Sequence, residues 1–163
     1  MIIENFIEDQ TLIRVVAGLD YWPVSNNGTG RKVVHFGYTY GYRNHALTKT
    51  TPIPECLNFD KEISQVLGMD IKFDQLIVNR YEPGQSIASH IDDTKFGPVI
   101  ACISLGETGI IKFDNGAAWT CPDRSLYVMF GEYRTRWKHS YRNTRQGTRY
   151  SLTYRSCGPS SHG

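Results

Sequence analysis

Residues 76–92, Leu76-Ile77-Val78-Asn79-Arg80-Tyr81-Glu82-Pro83-Gly84-Gln85-Ser86-Ile87-Ala88-Ser89-His90-Ile91-Asp92, read as a strand, a turn and a second strand. The apolar run 76–81 meets the turn residues Glu82-Pro83-Gly84-Gln85, and the strand that follows carries His90 and Asp92. Side chains at i and i+2 of a strand share a face, so His90 and Asp92 point into one space while Ile91 is expected to turn back into the core. Downstream the same grammar repeats. Strands are predicted over 99–105, 110–113, 119–121, 125–130, 137–141 and 149–155, with Asp114-Asn115-Gly116 a strong hairpin signal. Short strands so evenly spaced indicate a sandwich, jelly roll or barrel.

Upstream the pattern changes. Residues 8–18 read as a short helix stopped by Gly18, and 55–67 as a second helix that follows Pro54 and ends at Gly68. Residues 21–30 and 44–54 read as loops, the second suited to a mobile lid. Between them Phe36, Tyr38, Tyr40 and Tyr42 alternate with His35, Gly37, Thr39 and Gly41, which predicts one strand with an aromatic row on one face. That row packs on the core or stacks on a nucleobase. The fold class expected is α+β, mainly β, with helices first and a compact β half after them.

The 163 residues suffice for one domain with its own core. No stretch approaches the roughly 18 apolar residues of a membrane span, and the acidic start is unlike a signal peptide. Intracellular residence, cytoplasmic or nuclear, is expected. Cys56, Cys102, Cys121 and Cys157 are scattered without a CxxC pair and read as reduced thiols, which disfavours cysteine-ligated zinc. The net charge is only +2, yet from Arg124 to Arg155 the chain holds Arg134, Arg136, Lys138, Arg142, Arg145 and Arg149 against Glu132 alone. Such a segment is a solvated face or the mark of an anionic partner.

His139, within Trp137-Lys138-His139, offers a third metal-ligating group to His90 and Asp92. Two histidines and one carboxylate on one face of an octahedron leave positions open, which is how non-haem Fe(II) oxygenases bind their metal. On the last strand, Arg149, Ser151, Thr153 and Arg155 share a face by their even spacing. Two arginine forks beside a metal suit a dicarboxylate held end to end. Asn79 and Tyr81, again at i and i+2, add an amide and a phenol.

In this order, Asn79-Arg80-Tyr81-Glu82-Pro83-Gly84, His90-Ile91-Asp92, Ser104-Leu105-Gly106, Trp137-Lys138-His139 and Arg149-Tyr150-Ser151-Leu152-Thr153-Tyr154-Arg155 resemble the motifs of the AlkB family of Fe(II)/2-oxoglutarate dioxygenases. Upstream, residues 35–40 resemble that family's nucleotide-recognition region, so the likeness spans roughly residues 31–155. It implies a double-stranded β-helix (jelly roll) with N-terminal helices, forming a single domain over 1–155 before a flexible tail at 156–163. It implies His90, Asp92 and His139 as iron ligands and Asn79, Tyr81, Arg149, Ser151 and Arg155 as the 2-oxoglutarate site. Within that site Arg149 matches the grip on the far carboxylate and Arg155 the keto-acid end. Tyr38 and Tyr40 fall against the target base, and Asp93 with Thr94 where substrate is chosen. The cofactors implied are Fe(II), 2-oxoglutarate and O2. The reaction implied is oxidative demethylation of N-alkylated bases in methylated or otherwise modified DNA or RNA, by a monomer with no membrane partner.

Two positions depart from the well-studied bacterial member. Thr94 stands where that protein has an acidic residue against the alkylated base, with Asp93 one place early, and Arg31 aligns with an aromatic lid residue. These leave room for hydroxylation without demethylation, of a tRNA wobble uridine, a protein or a small molecule. A catalytically silent nucleic-acid-binding module and a zinc hydrolase are the remaining alternatives; the intact ligand set argues against the first. The arginine pair would have no role in the second.

Overall fold

The structure, a computed structural model, describes residues 1–24 and 30–157. The chain opens with β1 (Ile2–Ile3), α1 (Leu12–Ala17), β2 (Trp22–Pro23), β3 (Lys32–Phe36), β4 (Tyr38–Tyr40) and β5 (Leu47–Lys49). A 3-10 turn (Glu55–Leu57) and α2 (Asp60–Leu67) follow, then β6 (Gln75–Tyr81), β7 (Ser86–His90), β8 (Ile100–Gly106), β9 (Gly109–Phe113) and β10 (Ala118–Cys121). The chain closes with β11 (Ser125–Met129), α3 (Glu132–Thr135), β12 (His139–Arg142) and β13 (Arg149–Arg155).

Seven strands form one sheet in the order β1-β11-β8-β13-β6-β3-β2, and four form another, β10-β9-β12-β7. All the strand pairs within both are antiparallel. Strict alternation splits the large sheet into two chemistries. Leu76 and Val78, Ala101, Ile103 and Leu105, and Leu152 and Tyr154 pack outward with Leu12, Val16, Leu57 and Ile63 from the helical segments. The intervening residues face the small sheet, where Tyr81, Ile100, Cys102, Ile111, Phe113, Tyr127, Met129 and Tyr141 form a second core. This is the double-stranded β-helix expected of the sequence.

Several expectations are refined. The first helix is shorter than 8–18 because the Asp9 carboxylate accepts the Thr11 N–H and hydroxyl at 2.8 and 2.6 Å, holding 9–11 as a turn. The second is broken at Asn58-Phe59: Asn58 Oδ1 accepts the Asp60 N–H, and the Leu57 carbonyl accepts the Tyr154 hydroxyl at 2.8 Å. The loop expected over 44–54 contains β5, paired with β4. The tail expected at 156–163 begins fixed: Ser156 Oγ donates to the Lys72 carbonyl and the Cys157 N–H to Asp74 Oδ1. Residues 158–163 of that tail, and 25–29 of the loop expected at 21–30, lie outside the described residues. Cys56, Cys102, Cys121 and Cys157 are free thiols, all but Cys56 buried. No helix among the described residues is long and apolar enough to cross a membrane.

The largest correction concerns the aromatic row. The strand breaks at Gly37, whose φ of 80° carries the chain out of β3 and into the β4–β5 hairpin. Alternation therefore loses phase there. Phe36 joins the core beneath the helices, whereas Tyr40 and Tyr42 pack against Val24, Val33 and Ile77. A Cβ at Gly37 would overlap the Asp74 carbonyl oxygen, so glycine is required twice over. Gly37→Ala is expected to cost ~1–3 kcal/mol in urea denaturation; an unchanged midpoint would show that the hairpin can leave the sheet without this break.

Candidate metal centre and carboxylate cleft

His90 ends β7, and Asp92 follows two residues later, just outside the strand. Ile91 does not return to the core as expected; it is half-buried and lines the cavity beside the site. His139 begins β12 and pairs in register with His90 across the small sheet. One ligating atom from each of His90, Asp92 and His139 lies within 4.8 Å of the others. Both Nε2 atoms sit 3.3 Å from Asp92 Oδ1.

Protonation decides what this cluster fits. His90 Nδ1 lies 2.7 Å from the Ala88 carbonyl, an acceptor, so the Nδ1 proton is donated there and Nε2 presents a lone pair. Burial lowers the His139 pKa, against the opposing pull of Asp92, so this ring is neutral at neutral pH. Asp92 Oδ1 is buried and has no hydrogen-bond donor. The lone pairs of His90 Nε2 and Asp92 Oδ1, with the neutral His139 ring beside them, thus face one point, an arrangement a cation satisfies. The donor set fits Fe(II).

The other Asp92 oxygen is occupied. Oδ2 accepts Arg155 Nε and Nη2, both at 2.7 Å. Burial pushes the Asp92 carboxyl up, but the Arg155 charge, the largest opposing cause, outweighs it and holds the group well below the usual carboxylate range. The backbone around Asp92 is held by Arg134, a residue the sequence marked only as part of a basic segment. Its buried guanidinium donates to the carbonyls of Asp92, Asp93, Phe96 and Gly97 at 2.9–3.1 Å. Its signal in the sequence is indistinguishable from that of its neighbours, yet Arg134 is internal scaffolding while Arg136, Lys138, Arg142 and Arg145 are exposed.

A narrow cleft leads from the three donors along the inner face of β13 to Arg149. Register places Asn79, Ser151, Ser104 and Ser125 side by side across four strands, and Arg149 beside Tyr81. Arg149 is 1% exposed. It donates Nη2 to Ser104 Oγ at 2.7 Å, lies over the Tyr141 ring at 4.4 Å, and leaves Nε without a partner. A Cβ at Gly109 would overlap it, so glycine makes its room. No carboxylate among the described residues pairs with it. A buried guanidinium without an acid fits an anionic ligand.

On the other side of Asp92 a cavity of about 320 Å³ is lined by Tyr40, Tyr42, Phe96, Arg31, Asn79 and Arg155, among others. Asn79 is shared: its Oδ1 accepts Arg31 Nε at 3.1 Å and its Nδ2 donates to Ser151 Oγ at 3.4 Å. Tyr40 lines this cavity and Tyr38 does not; Tyr38 pairs with Lys49 in the hairpin and its carbonyl accepts Gln75 Nε2. Asp93 is engaged, its Oδ2 accepting the Tyr40 hydroxyl at 3.0 Å and its Oδ1 the Lys95 N–H at 2.9 Å. Thr94 is exposed outside the cavity lining. His35 Nδ1 accepts the Tyr40 N–H, which leaves its proton on Nε2 to donate to the Tyr42 hydroxyl at 3.1 Å. Burial, with the Arg155 and Arg31 charges, lowers the His35 pKa to about 4.

Fold and donor set together define a class: a jelly-roll protein with the two-histidine, one-carboxylate face of non-haem iron oxygenases. The 2OG-Fe(II) oxygenase superfamily model matches residues 17–155, and the chain belongs to that superfamily. Its cofactors are accordingly Fe(II), 2-oxoglutarate and O2, and its class is a dioxygenase. The chain is 32% identical, over 85% of its length, to a Macaca fascicularis protein named tRNA (carboxymethyluridine(34)-5-O)-methyltransferase ALKBH8. It spans less than a quarter of the length of the ALKBH8 relatives it matches. It is 29% identical over 72% of its length to protein L905 of Acanthamoeba polyphaga mimivirus, 67% of which it covers. The fold matches that of OsALKBH1 with a TM-score of 0.76 at 14% identity, over 95% of both chains. A Pseudomonas putida prolyl-4-hydroxylase matches at 0.62 and 16% identity, over 96% of this chain and 91% of that one. The AlkB-like character read from the motifs thus agrees with the relatives.

The His35 shift has a stability consequence. Its folded pKa of about 4 lies below the unfolded value of 6.5, so the unfolded chain takes up the proton first as pH falls. The contribution is whole above 6.5 and drains toward 4, with ~2 kcal/mol of it lost by about pH 5. Urea denaturation at about pH 7.5 and about pH 5 should show wild type losing roughly that much more than His35→Gln. Equal losses would mean that His35 is not buried neutral.

Proposed function

We propose that the chain oxidises an alkylated or otherwise modified base in DNA or RNA, with residues 1–155 as the working domain. In this reading His90, Asp92 and His139 hold Fe(II), and Arg149 grips the far carboxylate of 2-oxoglutarate. Asn79, Tyr81 and Ser151 line the cleft between them. The observation that carries the reading is Arg149: buried, stacked and without an acid, at the far end of a cleft that begins at three converging donors. Arg155, first expected at the keto-acid end, works through Asp92, fixing one carboxylate oxygen so that the other faces the metal.

When bound, iron with 2-oxoglutarate and O2 supplies oxidation of a C–H bond, with succinate and CO2 as co-products. The chain's own residues orient and exclude. Ile111, Met129 and Tyr127 keep water from the cleft. Tyr40 and Phe96 offer ring faces to a base in the larger cavity, and Arg31 and Asn79 offer polar edges. The cavity is at the small end of ligand pockets, roughly 300–1,000 Å³, which favours one base turned out of its stack or presented on a single strand.

Removal of an N-alkyl group is the leading reaction. A second reading, hydroxylation of a tRNA uridine without demethylation, is favoured by position 94, where an exposed threonine outside the cavity lining stands in place of an acidic residue. The ALKBH8 relatives, named for a tRNA uridine, point the same way.

Incubation with Fe(II), 2-oxoglutarate and a panel of modified DNA and RNA oligonucleotides separates the two. Formaldehyde release marks dealkylation, and a product heavier by one oxygen marks hydroxylation. Succinate without change in any nucleic acid would overturn both. His139→Ala should abolish turnover. Arg149→Ala should raise the KM for 2-oxoglutarate at least about thirtyfold, as loss of a buried charge pair does; a silent Arg149→Ala would refute the clamp.

A further inference from the structure

The outer face of the small sheet carries a feature that the oxidation chemistry does not use. Ile111, Phe113 and Tyr141 turn into the core, so alternation sends Ile110, Lys112, Ser140 and Arg142 outward. With Arg145 from the following loop they line a groove of about 700 Å³. Its cations, Lys112, Arg142 and Arg145, are all exposed, and no acidic residue lines it. Arg142 is braced by donating Nη1 to the Gly84 carbonyl at 3.0 Å. Ile110 is a large apolar side chain left 41% exposed among these cations.

The groove adjoins the cavity beside the metal centre across strand β7. Strand β7 is the edge of the small sheet, and Ile87 and Ala88 line both spaces. The rim between them is low, because Ala88 and Ser89 are small and exposed. A flexible polyanion can therefore lie along the cations while one of its side groups turns over the rim toward His90.

We propose that this groove binds the phosphodiester backbone of single-stranded nucleic acid, which crosses the Ala88–Ser89 rim to deliver one base to the cavity. This rests on the base-oxidation reading and adds where the strand runs. Lys112, Arg142 and Arg145 meet phosphates, and Ile110 meets the face of an adjacent base. The spacing of charge along an open groove suits a backbone contacted without sequence preference.

The test is fluorescence anisotropy with a labelled single-stranded RNA of about 20 nucleotides, read at several salt concentrations with the full chain loaded with Mn(II) and 2-oxoglutarate. Lys112→Glu/Arg142→Glu/Arg145→Glu should weaken binding at least tenfold at low salt. It should also flatten the slope of log K against log salt by about 2, from three phosphate contacts at roughly 0.7 each. Arg14→Glu/Lys61→Glu/Lys72→Glu makes the same charge change at exposed positions on the helical side and should bind within about twofold of wild type. Both variants should bind Mn(II) like wild type, which shows that they fold. A groove variant that binds RNA normally, or equal losses in the two variants, would overturn the proposal. If that groove variant also oxidised the oligonucleotide normally, base oxidation would stand without the groove. Wild type with no affinity for any oligonucleotide would overturn both.

Discussion

The structure depends on how one buried carboxylate is shared. Asp92 gives Oδ2 to the Arg155 fork at 2.7 Å and keeps Oδ1, bare of hydrogen bonds, for the space between two imidazoles. Burying such a charge is expensive unless it is paired and its lone pairs are satisfied. Arg155 pairs it, and a cation between Oδ1 and the histidines completes it. The backbone that carries Asp92 is not in a strand, so Arg134 supplies what a sheet would have supplied, four donated hydrogen bonds to the surrounding carbonyls. Two arginines from different elements therefore set the position of one carboxylate, one from its side chain and one from its main chain.

Strand alternation does the rest. On β13, Tyr150, Leu152 and Tyr154 complete the core against the helices, while Arg149, Ser151, Thr153 and Arg155 form the working face. The same residues that fix the register of the sheet thus fix the separation of Arg149 from the metal donors. No loop intervenes. A clamp built on a central strand, with neighbours on both sides, is held more rigidly than one on a loop.

How much of this was legible follows from where period two applies. Within an unbroken strand the residue spacing was sufficient: Arg149, Ser151 and Arg155 share a face, as do Asn79 and Tyr81, and the structure brings all five to one cleft. His90, Asp92 and His139 converge as their spacing and the family likeness implied. Alternation misled where the strand ended. Gly37 resets the phase, so Tyr38 leaves the site while Tyr40 reaches it, and Ile91 faces the cavity because β7 stops at His90. Arg134 was unreadable for a different reason. A guanidinium that bonds main-chain carbonyls has partners defined by tertiary position, and its residue type alone resembles that of a surface charge. The same holds for the partners of Asp93, whose carboxylate accepts from Tyr40 and Lys95 while it lines the cavity.

The central claim is that one dicarboxylate bridges Arg149 and the metal held by His90, Asp92 and His139. Because binding at linked sites is reciprocal, the most direct measurement is calorimetric titration of 2-oxoglutarate into the protein with and without Mn(II). Tightening of at least tenfold by the metal is expected in wild type, with the tightening lost in His139→Ala. Equal affinity with and without the metal would contradict a shared site.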